Sequence, residues 1–306
     1  MCGLGVICRI AISFLLIPGI AFTFIAVLPG TQTKRSCMDL PTSDPEDELI
    51  GLVSSVVIEK AEFSIADGEL VEGQRSLVRK VNYDTEGRQL EELSYDHGGV
   101  LIKKSLSIYD LTGLLQEILT YSADGSLICR QVYSHDVGKR TVEELAYRAS
   151  EITKTLYSLD ENGRMVSQTV LNSVGHMSTK LVLQYDLQNR LSEASVCVSN
   201  SEDLAMVPGG GGMSIMLSNE MRHRLKGVGP CSDALLTSKT VFKWDHDGHL
   251  MEVEVYTGEG VLIERNAYSR EYDSYGNWIK QTQSKWRSES DRFEPVALTY
   301  RKIVYK

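Results

Sequence analysis

The densest cluster of side chains able to do chemistry runs from Trp244 to His249 and reads WDHDGH. Its aspartates and histidines offer carboxylate oxygens and imidazole nitrogens, which are common ligands of divalent cations. A calcium-binding loop needs further acidic ligands at fixed later positions, and these are missing here. Asp-Gly is also a preferred pair for a tight hairpin turn. We therefore predict a turn at this position and assign no metal-binding residue.

The sequence contains no recognisable catalytic motif. There is no Gly-x-Ser-x-Gly run, no Ser-x-x-Lys with its partner motifs and no signature around a cysteine. Adjacent carboxylates occur at Glu91-Glu92, at Glu143-Glu144 and within residues 44–48. Neighbours on a strand point to opposite faces and cannot act together, although a glycosidase-type pair from different strands stays open. The sequence thus assigns no catalytic residue, no cofactor-binding residue and no cofactor, and it favours a non-enzymatic protein without deciding the question.

The composition excludes one class of partner. The chain has 306 residues, of which 42% are hydrophobic, so it is long enough to bury a sizeable core. Its formal net charge is −9 and its pI is near 5.3. A protein that binds a phosphate backbone needs a basic face. We therefore expect no nucleic-acid partner.

An uncharged apolar segment from Ile10 to Leu28 lies near the amino terminus. It is long for the core of a signal peptide and about right for a hydrophobic helix that spans a membrane. We interpret residues 1–30 as a signal peptide or a transmembrane anchor, and both readings stay open. Residues 31–50 are polar and acidic and are interpreted as a linker. Either reading places the rest of the chain in the cell envelope, anchored by its amino terminus, or outside the cell as a secreted protein.

An aromatic residue followed after a few positions by glycine recurs along the chain at mostly even spacings. Examples are YDTEG from Tyr83, YDLTG from Tyr109, YSADG from Tyr121 and YDSYG from Tyr272. Glycine tolerates the positive φ that primed hairpin turns need, and the intervening Leu, Ile, Val, Thr and Tyr favour strands. We predict a mainly β fold, an antiparallel meander of repeated β-hairpins, open or coiled. The repeats occupy residues 51–200 and 239–306.

The even spacing also predicts which residues share a face. Side chains of a strand alternate between its two faces. The residue two positions after a turn glycine lies an even count before the next tyrosine, as Leu115 does before Tyr121 and Leu127 before Tyr133. We expect each pair to lie on one face. The tyrosines and Trp278 would then form either a strip that stacks on sugar rings or the packed face of the sheet, and the regularity of the repeat favours packing.

Residues 201–238 interrupt the repeat. A glycine run follows Pro208, and SIMLSNEMRHRLK from Ser214 has apolar residues at helical spacing, so we predict a glycine-rich loop with one short helix. No Gly-Lys-Ser/Thr follows the glycines, which excludes a phosphate-binding loop of that type. Long insertions in regular scaffolds often carry function. Cys197 and Cys231 flank this segment and either form a disulfide in an oxidising compartment or stay as two thiols.

The runs YDTEGRQL, YSLDENGRM and YDLQNRL resemble the YD repeat of the Rhs family. The carboxy-terminal REYDSYGNWIKQ and VALTYRKIVY are similar to the tails of uncharacterised YD-like proteins of the bacterial cell envelope. The resemblance covers roughly residues 75–200 and 240–306. It implies β-hairpin sheets that are secreted or held at the cell surface, in long members coiled into shells around a toxin. This chain has no obvious toxin domain and too few repeats for a large shell.

Taken together, these features predict a non-enzymatic interaction protein or structural scaffold of the cell envelope. One alternative is a carbohydrate-binding or carbohydrate-active protein that uses one face of the sheet. Another is a reduced relative of Rhs shells that presents a second polypeptide. The expected partner is a protein or a carbohydrate, and the chain contacts the membrane through Ile10 to Leu28 if that segment stays uncleaved.

Overall fold

The computed structural model describes residues 49–66, 69–149, 151–199, 231 and 234–306. These residues contain strands and turns and no helix. Within them, no helical segment has the length and apolar character needed to cross a membrane. The predicted hydrophobic helix at the amino terminus and the predicted short helix of the insertion both lie outside the described residues.

Seventeen strands are formed by the described residues. The first nine are β1 (Val53–Ala66), β2 (Glu69–Glu72), β3 (Ser76–Tyr83), β4 (Gln89–Tyr95), β5 (Leu101–Tyr109), β6 (Leu115–Ser122), β7 (Leu127–Asp136), β8 (Thr141–Arg148) and β9 (Glu151–Leu159). The other eight are β10 (Met165–Leu171), β11 (Met177–Tyr185), β12 (Leu191–Ser199), β13 (Ala234–Trp244), β14 (Leu250–Thr257), β15 (Leu262–Tyr272), β16 (Trp278–Arg287) and β17 (Arg292–Tyr305).

The strands form an antiparallel meander that closes on itself. From β3 to β17 each strand pairs with the next along the chain. The first part of β1 lies between β17 and β3, where Val56 pairs with Ile303 on one side and with Val81 on the other. The far end of β1 forms a hairpin with β2, which leaves sixteen strands in the closed sheet. The predicted antiparallel meander is confirmed. Of the predicted alternatives, an open or a coiled meander, the open one is excluded because the sheet closes on itself.

The turns are one residue longer than the two-residue primed turns that the sequence suggests. Gly113 and Gly125 both have φ of +85°, and Asn189 takes this role with φ of +65°. A primed two-residue turn needs positive φ at its first central residue, whereas in these turns only the residue at the glycine position has it. The backbone bonds Asp110 N to Leu114 O and Gly113 N to Asp110 O fit a type I turn followed by a left-handed residue. The predicted primed turns are therefore wrong.

An extra residue after each such turn reverses the predicted faces. Leu127 pairs with Tyr121, whereas Cys129 pairs with Thr120, so one residue between Leu127 and Cys129 has no partner and forms a β-bulge. Cys129 and Tyr133 share a face because they are four residues apart. Leu127 and Tyr133 consequently lie on opposite faces, and the predicted shared face is wrong. An inserted residue has this effect because the side-chain period of a strand is two.

Burial follows one face of the closed sheet. Cross-strand pairing places Thr120, Gln131, Glu144, Thr155 and Gln168 on this face, and all five are buried. Side chains crowd together on the concave side of a closed sheet, so we assign the buried face to the interior. The interior therefore includes buried polar side chains over the arc from β6 to β10. One apolar cluster lies on β11 to β14 and is made by Leu181, Leu183, Leu191, Ala194, Phe242, Leu250 and Val253, and another lies on β1 and is made by Val53, Val56 and Ile58.

The opposite face carries ion pairs between neighbouring strands. Lys104 Nζ lies 2.6 Å from Glu91 Oε1, and Lys154 Nζ lies 2.6 Å from Glu143 Oε2. Pairs of this kind are partly exposed and each contributes at most about 1 kcal/mol. The outer face is thus charged and accessible to solvent along these strands.

A disulfide joins Cys197 on β12 to Cys231, and both residues are buried. The two Cα atoms are 5.8 Å apart, which is ordinary for a disulfide. This bond stabilises the point where the chain leaves the sheet after β12 and returns at β13. Of the two alternatives for these cysteines, the structure has the bonded one.

Candidate functional site

Every second turn lies at the same end of the closed sheet, because antiparallel strands alternate in direction. One end carries the turns 84–88, 160–164 and 186–190, in each of which an aspartate is followed four residues later by an arginine. We call this end the arginine rim. It also carries the turns 110–114, 245–249 and 273–277, where leucine, histidine and asparagine replace the arginine, and the turn 136–140, where Asp136 pairs with Lys139. The rim therefore combines complete and incomplete copies of one motif.

In a complete copy, the aspartate holds its own turn. Oδ1 of Asp186 accepts hydrogen bonds from the backbone N–H groups of Gln188 and Arg190, both at 2.9 Å. Its Oδ2 accepts a hydrogen bond from Nε of Arg190 at 2.8 Å. The same arrangement joins Asp160 to Arg164, and the hydrogen bond from that arginine lowers the pKa of Asp160 below its ordinary value. The acid and the base of the motif are thus engaged in the turn itself.

The arginine and the tyrosine of the motif tie one hairpin to the next. Arg164 Nη1 donates a hydrogen bond to Asn189 Oδ1 at 2.9 Å, and its guanidinium lies 4.3 Å from the centre of the Tyr185 ring. Tyr185 OH donates back to the carbonyl of Met165 at 2.8 Å. Arg190 reaches the following hairpin in the same way and donates to the carbonyl of Asp245. The motif therefore ties the turns 160–164, 186–190 and 245–249 to one another, and its polar side chains are structural here.

A cleft of about 210 Å³ opens where the motif is incomplete. It lies among the turns 186–190, 245–249 and 273–277 and the ends of β15 and β17. Its basic and aromatic lining consists of Arg190, Arg270, Arg301, Trp244, Tyr272 and Trp278. The imidazole of His249 and the side chains of Asn189 and Asn277 complete the polar lining. Among the described residues that line the cleft there is no aspartate or glutamate.

The cleft side chains are held in place by their neighbours. The Arg301 guanidinium lies 3.4 Å from the centre of the Trp278 ring, a cation–π contact between two buried side chains. Arg270 Nε donates to Oε1 of Gln281 at 2.7 Å. The His249 ring lies 4.6 Å from the ring of Tyr272, centre to centre. Fixed guanidinium groups in a concave site can pair with a carboxylate or phosphate of a ligand.

The WDHDGH run lies at the edge of this cleft and forms the predicted turn. Asp245 Oδ1 accepts hydrogen bonds from the backbone N–H groups of Asp247 and His249, and Asp245 Oδ2 lies 3.2 Å from His249 Nδ1. Ligand atoms of these three residues lie within 4.8 Å of one another. Because the turn itself explains the position of Asp245, this clustering gives no independent sign of a cation, and we assign no metal here.

The adjacent carboxylates behave as predicted for strand neighbours. Glu143 pairs with Lys154 on the outer face, whereas Glu144 is buried on the inner face. Glu144 accepts hydrogen bonds from Gln131 Nε2 at 3.0 Å and from the hydroxyl of Tyr157. Burial raises the pKa of Tyr157 above its ordinary value, with the charge of Glu144 as a further cause. The two members of the pair thus have separate surroundings and do not act together.

The structure changes which aromatic residues are available to a ligand. Trp278 is only 4% exposed and its face is covered by Arg301, so it does not belong to an open sugar-stacking strip. Arg270 and Arg301 were not predicted from the sequence, because they lie on β15 and β17 outside the repeated motif and far along the chain from the turns 186–190 and 245–249. The available signal was the departure of His249 and Asn277 from the motif. The insertion at 201–238, where function was expected, lies largely outside the described residues.

Neither protein-family models nor curated protein sequences match the chain. Among solved structures, it is similar to a porin-like protein from Bacteroides uniformis ATCC 8492, with 10% identity, a TM-score of 0.45 and coverage of 84% of this chain and 98% of that one. A porin-like protein from Bacteroides vulgatus ATCC 8482 has 9% identity, a TM-score of 0.27 and coverage of 83% and 98%. The crystal structure of TcdB2-TccC3 has 10% identity and a TM-score of 0.27, and 82% of this chain covers 18% of it.

These similarities are too low to carry an argument about fold or function. No family model supports the resemblance to YD repeats.

Proposed function

We propose that this protein is a non-enzymatic binding scaffold of the cell envelope. The observation that supports this is the use of the repeated polar residues at the arginine rim. Asp160 and Arg164, like Asp186 and Arg190, hold their own turn and the next hairpin. A general acid, base or nucleophile must instead present its reactive atom to a substrate. The repeat therefore makes a rigid surface on which a partner can bind.

The disulfide supports a location outside the cytoplasm. Disulfides persist in oxidising compartments and are rare in cytosolic proteins. The bond between Cys197 and Cys231 fits the cell envelope or the extracellular medium. In this proposal the segment from Ile10 to Leu28 either anchors the chain in the membrane or is removed on secretion. The partner of the scaffold is a protein or a carbohydrate.

An activity screen with matched variants tests the non-enzymatic part of the proposal. The full-length protein is incubated with a panel of glycans, and reducing ends released by hydrolysis are measured. We expect no turnover. The decisive variants are Glu144→Gln, which changes the buried carboxylate, and Glu143→Gln, which changes its neighbour on the outer face. Turnover that Glu144→Gln abolishes and Glu143→Gln preserves would show that the protein is an enzyme.

Peptide mapping without reduction tests the compartment. Thiols are blocked when the producing cells are lysed, and the protein is recovered from cytoplasmic, envelope and extracellular fractions. We expect the linked peptides of Cys197 and Cys231 in the envelope or extracellular fraction. Blocked thiols at both positions, in protein recovered from the cytoplasm, would contradict the proposed location.

A further inference from the structure

The cleft at the arginine rim has room for one compact molecule. Its volume is about 210 Å³, and a cavity of about 150 Å³ holds a benzene molecule. One six-membered ring with its substituents therefore fits. The indole of Trp244 and the phenol ring of Tyr272 belong to the lining and supply its apolar part. An aromatic wall in a small concave site suits the apolar C–H groups of such a ring.

The guanidinium groups of the lining already have partners within the protein. Arg190 pairs with Asp186 at 2.8 Å. Nε of Arg270 donates to the amide oxygen of a glutamine at 2.7 Å, and the guanidinium of Arg301 lies 3.4 Å from the centre of a tryptophan ring. Because these groups are engaged in the wall, the lining sets no requirement for a charged ligand.

Two neutral groups of the lining keep a free hydrogen-bonding position. His249 Nδ1 lies 3.2 Å from a carboxylate oxygen of Asp245, which can only accept, so Nδ1 carries the proton and Nε2 of the neutral imidazole is an acceptor. Asn189 Oδ1 accepts from Arg164, which leaves the Nδ2 amide as a donor. Neither His249 Nε2 nor Asn189 Nδ2 has a hydrogen-bond partner among the residues that the structure describes. An acceptor and a donor beside an aromatic wall match hydroxyl groups on a ring, since a hydroxyl both donates and accepts.

From this geometry we propose that the cleft binds an uncharged hexose ring. One hydroxyl of the sugar donates to His249 Nε2, another accepts from Asn189 Nδ2, and the C–H groups of the ring pack against Trp244. The inference deepens the proposed binding function, on which it rests, by naming a carbohydrate as the partner at this site. Failure of hexose binding leaves that function with a protein partner, whereas turnover in the activity screen would overturn the function and not the binding.

Tryptophan fluorescence gives a direct binding assay on the full-length protein, because Trp244 and Trp278 line the cleft. The probes are glucose, galactose and mannose, together with two reference compounds. Sorbitol carries the hydroxyl groups without a ring, and cyclohexanol is a six-membered ring with a single hydroxyl. We expect saturable quenching by at least one hexose and an affinity for each reference compound that is about tenfold lower or less.

A histidine variant with a matched control tests the acceptor. His249→Phe removes Nε2 and keeps an aromatic ring beside Tyr272. The control is His176→Phe, at the same motif position of a turn at the other end of the closed sheet. The net value of a neutral hydrogen bond corresponds to a change in affinity of about two- to tenfold. His249→Phe should weaken hexose binding by this factor, and His176→Phe should leave it unchanged.

An asparagine variant tests the donor. Asn189→Asp replaces the Nδ2 donor by an acceptor, keeps an oxygen for Arg164 and places a residue type that tolerates the φ of +65° at this position. Asn162→Asp, in the turn 160–164, adds the same charge at the rim outside the cleft lining. We expect weaker binding in Asn189→Asp, again by about two- to tenfold, and unchanged binding in Asn162→Asp.

The proposal is wrong if none of the three hexoses quenches the fluorescence, or if sorbitol or cyclohexanol binds as tightly as the best hexose. It is equally wrong if both cleft variants bind as tightly as their controls. Where a thermal unfolding curve shows that a cleft variant does not fold, the comparison with sorbitol and cyclohexanol on the unchanged protein decides the question.

Discussion

Replacing Asn277 by alanine should destabilise the fold, because this side chain joins the segment before the first strand, β1, to the end of the last strand, β17. Its Oδ1 accepts a hydrogen bond from the backbone N–H of Ile50 at 2.7 Å, and its Nδ2 donates to the Ile50 carbonyl at 2.8 Å. Nδ2 also donates to the hydroxyl of Tyr305 at 2.7 Å. Ile50 precedes β1 and Tyr305 ends β17, which are the strands that meet when the sheet closes.

The three hydrogen bonds set the expected loss. Each contributes about 1 kcal/mol net to stability, and Asn277 is only 4% exposed, so little water competes for it. Ile50 is largely exposed, and water can satisfy its backbone groups in the variant. We therefore expect Asn277→Ala to lower the free energy of unfolding by about 2–3 kcal/mol. The corresponding fall in Tm is roughly 4–10 °C.

Unfolding in guanidinium chloride, followed by tryptophan fluorescence, measures this change. The matched control is Asn162→Ala, an exposed asparagine of another turn on the arginine rim, which should change stability by less than about 0.5 kcal/mol. If Asn277→Ala is no less stable than Asn162→Ala, the first and last strands are held together by the backbone pairing of β1 and β17 alone, and the reasoning is wrong.

Three further changes have expected outcomes of their own. The pKa of Asp160 is lowered from its ordinary value of 3.8. Its contribution to stability is therefore present above that pH and is lost as the pH falls through the lower folded-state value. Acid unfolding should show this loss, and the loss should be smaller in Asp160→Asn. Gly125→Ala forces a side chain to φ of +85° and should cost about 1 kcal/mol or more in thermal unfolding, whereas Gly138→Ala, whose φ is not positive, should cost less. Replacing Cys197 and Cys231 by serine opens a loop with a sequence separation of 34 and should lower the free energy of unfolding, measured in guanidinium chloride, by about 3–4 kcal/mol.

The repeat made the strands and turns predictable, because glycine at φ of +85° and alternating apolar residues are local properties of the chain. The faces were not predictable by counting, since the bulge between Leu127 and Cys129 inserts a residue that no local signal marks. The closure of the sheet was equally unpredictable from the sequence. β1 carries no copy of the motif, yet it is the strand that joins β17 to β3. A pairing between residues about 250 positions apart, such as Val56 with Ile303, is not encoded in a short pattern.

The candidate site was missed for a related reason. The densest cluster of reactive residues in the sequence is the WDHDGH run, and its first aspartate holds a turn. The cleft is instead made by Arg190, Arg270 and Arg301, which come from three different hairpins or strands. Their meeting depends on the order of the strands around the closed sheet. The sequence alone shows only that His249 and Asn277 stand where other copies of the motif have arginine.

The turns at the two ends of the closed sheet carry different residues, although the spacing of the repeat is the same at both ends. At the arginine rim, Asp84, Asp160 and Asp186 each hold an arginine four residues on. At the other end the equivalent first position is held by Ser122 in one turn and by Asn172 in another. The residues four positions on are serine and histidine, so no arginine ties these turns to the next hairpin.

Alternate copies of the repeat therefore serve different purposes although their spacing is the same. Rim copies that keep the arginine, such as 160–164 and 186–190, combine a turn with a tie between hairpins, and the copies that begin at Ser122 and Asn172 have no arginine for such a tie. At the rim, the turns that carry His249 and Asn277 in place of the arginine adjoin the cleft. The cleft is therefore lined by His249 and Asn277, from two incomplete copies, together with the guanidinium groups of Arg190, Arg270 and Arg301.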